Sequence, residues 1–167
     1  MIQGPSTAVS ACVSRANIAG HAGSYGRSVT TSSDMTPTYV TRFTVDDRQL
    51  SVLHARAFGT DPNDVQPWAR QLERHALTWI GAFEGEQLTG FVQVAWDGRT
   101  HAFLLDTAVD PDHQHHGIGT GLINAATAEA RAAGCTWLHV DFEPHLDRFY
   151  LDTGGFRPTP AGLLRLA

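Results

Sequence analysis

Cysteine is scarce in this sequence. Cys12 and Cys135, the two in 167 residues, cannot build a disulfide framework and fit no metal-ligand spacing, so a reducing, cytoplasmic setting is expected. Basic residues are few as well. Twelve Lys plus Arg against seventeen Asp plus Glu leave a net charge of -5 with the histidines neutral, which gives nucleic acid no basic face and favours a cationic or amine ligand. Long apolar runs are missing too: nothing approaches the ~20 residues that cross a bilayer, so no membrane partner is expected. The N-terminus lacks both the basic start and the unbroken apolar block of a secretion signal, Ala8 to Gly20 being a mixture. Residues 1–37 are rich in Gly, Ser, Ala and Thr and poor in periodic apolar positions. They read as a flexible extension, with Met35 a candidate start for the compact part.

What is present, from residue 38 to 167, reads as one domain without internal repeats. Tyr39, Thr41, Phe43 and Val45 alternate as a first strand over 38–45. Asp46 offers an N-cap oxygen with Gln49 at the capping-box position, and Leu50, Leu53 and Ala57 follow at helical spacing until Gly59. After the turn cluster at Asp61-Pro62-Asn63-Asp64, Pro67 opens a shorter helix to about His75. Leu77 to Phe83, Leu88 to Trp96 and His101 to Val109 form an antiparallel meander joined by short turns. Ile118, Leu122, Ala126 and Ala130 mark a helix with Gly134 at its C-cap, and Trp137 to Phe142 follows as a strand parallel to the previous one, through a right-handed crossover. A short helix from Leu146 to Thr153 and a hairpin of Phe156–Thr159 with Gly162–Leu166 end the chain.

The most informative stretch lies between the third meander strand and the long helix. Three glycines in five positions, Gly117, Gly119 and Gly121, sit where unpaired N–H groups and the positive end of a helix dipole meet, a natural seat for phosphate. In this reading they also let the main chain pass close to a ligand, so that successive amides converge on a pyrophosphate. No Gly-Lys-Ser/Thr follows, which excludes a nucleotide P-loop, and a dinucleotide turn would follow the first strand of a βαβ unit.

Gln114-His115-His116-Gly117-Ile118-Gly119, preceded by Val109-Asp110-Pro111, is similar to the acyl-CoA signature of the GNAT superfamily of N-acetyltransferases. Phe149-Tyr150-Leu151-Asp152-Thr153-Gly154-Gly155-Phe156 resembles the same family's Phe-Tyr-x-x-x-Gly-Phe ending, with one residue of slack at the glycines. The resemblance covers about residues 38–167. It implies an α+β fold in three layers: a mixed, mostly antiparallel sheet of six to seven strands, a parallel splayed pair in its middle, and about four helices. It implies acetyl-CoA as the acetyl donor, its pyrophosphate on the amides from His115 to Thr120 and its pantetheine beside the strand ending at Ala108 and Val109. Val109 is assigned as the donor to the acetyl carbonyl, and Tyr150 matches the family tyrosine that protonates the departing thiolate.

Acetyl transfer to an amine also needs a neutral nucleophile, so a base is sought. Glu143, where many relatives carry asparagine, ranks first, Asp106 second and Asp141 third, with water as an alternative. His113, His115 and His116 are too crowded in one turn to converge on an ion, and no metal is expected. In relatives, Arg or Lys often stands there and faces the phosphates. The acceptor pocket is expected near Phe58 to Trp68 and the last hairpin, where Asp61, Asp64, Trp68 and Trp96 suit a cationic amine. The function read is therefore acetylation of a small-molecule amine. Protein or peptide amino groups are the enzyme alternative, a non-catalytic acyl-CoA-binding module the alternative from another class. Exposed strand edges admit a homodimer.

Overall fold

The structure is a computed structural model and describes residues 36–166; the expected extension up to residue 35, with Cys12 and Met35, lies outside the described residues. In chain order the elements are β1 (Thr38–Thr41), α1 (Asp47–Phe58), α2 (Trp68–His75), β2 (Ala76–Glu84), β3 (Gln87–Trp96), β4 (His101–Val109), α3 (Ile118–Ala132), β5 (Trp137–Val140) and α4 (Arg148–Thr153). The last has π geometry. Two single 3₁₀ turns, Pro111–His113 and Pro144–Leu146, precede α3 and α4.

Local chemistry explains most of these boundaries. Asp46 caps α1 by accepting from the N–H groups of Arg48 and Gln49, both at 2.9 Å. The capping box is only half made, because the Gln49 side chain donates to the Glu86 carbonyl instead. Gly59 takes φ 70 and closes the helix on the Ala55 carbonyl, and Gly134, at φ 87, ends the turn after α3. Arg42, at φ 51, turns the chain at the end of β1, which is shorter than the alternation predicts and lets Phe43 drop into the core.

The strands form one sheet in the order β1-β2-β3-β4-β5, antiparallel except for the parallel pair β4 and β5. α3 covers one face, burying Ile118, Leu122 and Ala126 against Ile80, Val92, Val94 and Leu104. α1 and α2 cover the other with Leu50, Leu53, Trp68 and Leu72 against Trp79, Phe91 and Ala108. A fully buried Leu such as Leu50 or Leu72 contributes about 1.5–3 kcal/mol through its burial, so each face is anchored separately.

The sheet has five strands among the described residues, not six to seven. The expected hairpin over 156–166 is absent, and Leu163, Leu164 and Leu166 are exposed. Pro158 and Pro160 remove two backbone donors around Thr159, leaving that segment poorly equipped to extend a ladder.

Two irregularities in β4 prepare the site. Phe91 pairs with Ala108 but Gln93 pairs with Leu105, so β4 carries one extra residue, and Asp106 in that bulge has φ 51. The bulge leaves Leu105 and Asp106 on the same face, toward α2 and α1, and returns Thr107 and Val109 to the α3 face. Pairing with β5 stops at Leu104 opposite Val140. Beyond that point the two parallel strands part.

Candidate active site

The gap where β4 and β5 part opens into a cleft of about 870 Å³. Thr107 and Val109 of β4 form one wall, the turn from His113 to Thr120 another, and α4 with the preceding 3₁₀ turn the third. The first amides of α3 border this space. Gly117 caps the helix at φ 80 with no side-chain cap bond, and His115 two residues earlier has φ 65. Left-handed residues alternating with extended or helical ones turn neighbouring N–H groups to one side, a concavity suited to an anion. Gln114 is buried and donates from its side chain to the Val109 carbonyl at 3.3 Å, tying the turn back to the end of β4.

The three glycines have separate tasks. Only Gly117 needs its backbone angle. A Cβ on Gly119 would stand 2.9 Å from the Phe149 ring, and one on Gly121 would collide with Tyr39, whose hydroxyl reaches the Ile118 carbonyl at 3.3 Å. Two of them thus admit side chains from α4 and β1 that a Cβ would displace.

Tyr150 is the deepest polar group at the cleft. It is fully buried, stacked on Phe142 at 4.7 Å between centroids and met edge-on by Phe149 and Phe156. Its hydroxyl has no hydrogen-bond partner among the described residues. Burial pushes its pKa up to about 12, with the nearby Thr107 side chain pulling weakly the other way. Phenol and threonine hydroxyl line the same cleft. The π geometry of α4, in which Gly154 N–H reaches the Phe149 carbonyl, sets the ring's position.

Of the residues singled out from the sequence, Val109, Gln114, His115, Gly117, Ile118, Gly119, Thr120 and Tyr150 line this cleft together. Ala108 points to the opposite face, into the core under α1. His116 and Gly121 are not among the lining residues. Glu143 and Asp141 are exposed outside it; the Glu143 carbonyl accepts from Leu146 in the 3₁₀ turn. Asp106 lies across the sheet, where it accepts from the Gln93 side chain and faces His54 Nε2 at 3.3 Å. His54 is held between Phe58 and Trp68 at 4.3 and 5.0 Å. His113 turns away from the cleft's other histidines toward Glu84 and Asp110, and no group of three metal-ligating side chains forms among the described residues.

The residues expected to line an acidic acceptor pocket, Asp61, Asp64, Trp68 and Trp96, are not gathered in any of the three clefts. Asp61 accepts from Asn63 within its own turn, Trp68 is buried with its indole on Ser51, and neither Asp61 nor Asp64 borders any of the three principal clefts. Thr107, His145 and Arg148 were missed by sequence reading. Thr107 was findable, since it lies two residues before Val109 on one strand face; Arg148 carried no signal beyond its neighbour Phe149.

The loop before the turn is clamped to α1. Arg56 reaches Asp110 at 2.9 Å and Asp112 at 2.8 Å. Burial works against charge on Asp110, but the Asp112 N–H and the Arg56 guanidinium outweigh it and hold the carboxyl below its ordinary range.

A family model described as the acetyltransferase (GNAT) family matches residues 43–155. No curated protein matches the sequence. Among solved structures, an acetyltransferase from Trypanosoma brucei superposes with a TM-score of 0.62 at 20% identity, over 78% of this chain and 99% of that one. Glucosamine-6-phosphate N-acetyltransferase from Arabidopsis thaliana gives 0.61 at 13% identity, over 78% and 99%. AAC(6')-Iy, in complex with the bisubstrate analogue CoA-S-monomethyl-acetylneamine, gives 0.63 at 16% identity, over 79% and 98%.

Proposed function

The chain belongs to the acetyltransferase (GNAT) family, and we propose that it moves an acetyl group from acetyl-CoA to the primary amine of a small molecule, by direct attack in a ternary complex. The observation that carries this reading is the buried Tyr150 hydroxyl, without a hydrogen-bond partner among the described residues, in the same cleft as the N-terminus of α3, which has no side-chain cap. An anion-seeking turn and a proton donor within one cleft are what a phosphorylated thioester needs from its protein. The solved neighbours named for glucosamine 6-phosphate and bound to an acetylneamine analogue both handle small amines, which supports the choice of acceptor size.

In this reading the amides from His115 to Thr120 take the diphosphate, with Arg148 adding positive charge and His145 a ring N–H at the opposite wall. The pantetheine follows Thr107 and Val109, whose edge is left free by the departure of β5. Val109 N–H steadies the carbonyl oxygen as negative charge builds on it. Tyr150 stays protonated across the working pH range, because its pKa is about 12, and so meets the leaving sulfur as a donor. The amine must arrive neutral. Asp106 is the carboxylate built into the sheet at the parting strands, bonded to Gln93 and His54, and takes that role ahead of Glu143 and Asp141 in the exposed segment.

The test is thiol release from acetyl-CoA over a panel of amines and peptides, with Tyr150→Phe beside the parent. The expected outcome is amine-dependent release by the parent and a kcat lower by about 10²–10⁴ in the variant, at similar acetyl-CoA KM. Equal rates would remove Tyr150 from the chemistry. Tight acetyl-CoA binding without amine-dependent release would leave a binding module, and turnover confined to peptides would move the acceptor to proteins.

A further inference from the structure

A second cleft, of about 480 Å³, lies on the other face of the sheet beneath α2. Its wall carries Arg70 and Arg74, one helical turn apart, with His75 beside them. No acidic residue lines it, and neither arginine has an ion pair or hydrogen bond among the described residues. Arg56, by contrast, is held by two carboxylates, and Arg42 lies over the Trp79 ring at 4.7 Å. The floor is Gln93 and Leu105. Gln93 is 4% exposed and donates to Asp106, and Leu105 adjoins the bulge where β4 leaves β5. The cleft therefore runs from two unengaged guanidiniums to the sheet position that backs onto the donor cleft.

Resting on the acetyl-transfer reading, we propose that this cleft receives the acceptor, and that the acceptor is an amine that also carries an anionic group, a phosphate or a carboxylate. The polarity of the cleft supports this: cations on the α2 wall, a carboxylate behind the floor. A zwitterion is matched at both ends, its anion by Arg70 and Arg74 and its ammonium by the Gln93 carbonyl and Asp106. A polyamine would meet two like charges on entry. All twelve basic residues of the chain are arginine, and the planar guanidinium forks bind carboxylate or phosphate through paired N–H groups in a way an ammonium does not. This replaces the cationic acceptor expected from Asp61 and Asp64.

The experiment uses the full chain and matched amines: 2-aminoethyl phosphate against ethanolamine, and glycine and glutamate against their amides. Each is assayed with acetyl-CoA on the parent, on R70Q/R74Q and on R70K/R74K. We expect the anionic member of at least one pair to be favoured by about tenfold or more in kcat/KM. The preference should collapse in R70Q/R74Q through acceptor KM, return in part in R70K/R74K, and leave the acetyl-CoA KM unchanged. The phosphate and carboxylate pairs decide which anion is meant. Preference for the members that lack the anion, or a preference that survives R70Q/R74Q, overturns the inference while the transfer reading stands. In parallel, isothermal titration of 2-aminoethyl phosphate and glutamate into the same proteins reads the cleft without turnover. Binding that R70Q/R74Q weakens about tenfold supports the inference even if no acetyl transfer is seen, and no binding, or binding indifferent to the variant, refutes it.

Discussion

Tyr150 joins complete burial to a hydroxyl without a hydrogen-bond partner among the described residues, and a protein does not keep such a group for stability. Removing the oxygen relieves a desolvated polar atom, so Tyr150→Phe is expected to melt at the same temperature as the parent or higher, even as it loses catalysis. The pH dependence follows from the raised pKa. The buried neutral phenol contributes its full stability below the unfolded pKa of ~10, and that contribution is lost as pH rises toward about 12. Thermal melts of the phenylalanine variant should lack this part of the alkaline decline; an unchanged decline would place its origin elsewhere. The glycines teach a different lesson. All three were legible as a turn before a helix, but only Gly117 follows from backbone angle. The need for Gly119 and Gly121 comes from Phe149 and Tyr39, remote in sequence, and no local pattern encodes that. Gly119→Ala is expected to displace Phe149 and with it Tyr150, costing about 1–3 kcal/mol and lowering kcat. Gly121→Ala should be milder, since Tyr39 is part-exposed and can swing outward. Comparison of melting temperatures and kcat for the two variants checks the order.

Elements whose signals are local were readable: the Asp46 cap, the Gly59 and Gly134 closures, and the meander with its short turns. So was the parallel strand pair, because a helix joins β4 to β5, although among the described residues it stands at the sheet's edge and not in its middle. The β4 bulge was not readable. Asp tolerates the left-handed region and interrupts no alternation strongly enough to mark it, yet it decides which face Leu105, Asp106 and Thr107 present. The final hairpin fails for a reason that was visible: Pro158 and Pro160 remove the donors a ladder needs. His54 and Gln93 escaped notice because they matter only through Asp106. At this scale the Arg56–Asp110 clamp joins α1 to the turn that precedes the anion site. Asp110 titrates below its ordinary value, so the clamp's stability is present above the unfolded pKa of ~3.9 and is lost as pH falls through the folded value. Asp110→Asn should cost about 1–3 kcal/mol near neutrality and make the acid limb of a stability profile shallower. Equal denaturation midpoints at neutral and acidic pH for parent and variant would contradict this.

At the scale of the molecule, no strand pairs with the outer edge of β5 (Trp137–Val140) among the described residues, and Trp137, Phe103 and Trp96 stand exposed on the strands nearby, Trp137 at 63%. Pairing of two copies through this edge would cover them. Sedimentation velocity is expected to show a concentration-dependent dimer that Trp137→Asp abolishes, whereas a monomer at all concentrations would dismiss the idea. Within one copy, the larger cleft opens on the α3 side of the sheet and the arginine-lined cleft on the α2 side. If the two hold donor and acceptor, the sheet is a partition with a doorway at the parting of β4 and β5, and each visitor has an entrance of its own. Neither has to wait for the other to arrive or depart, so either order of binding leads to the same encounter.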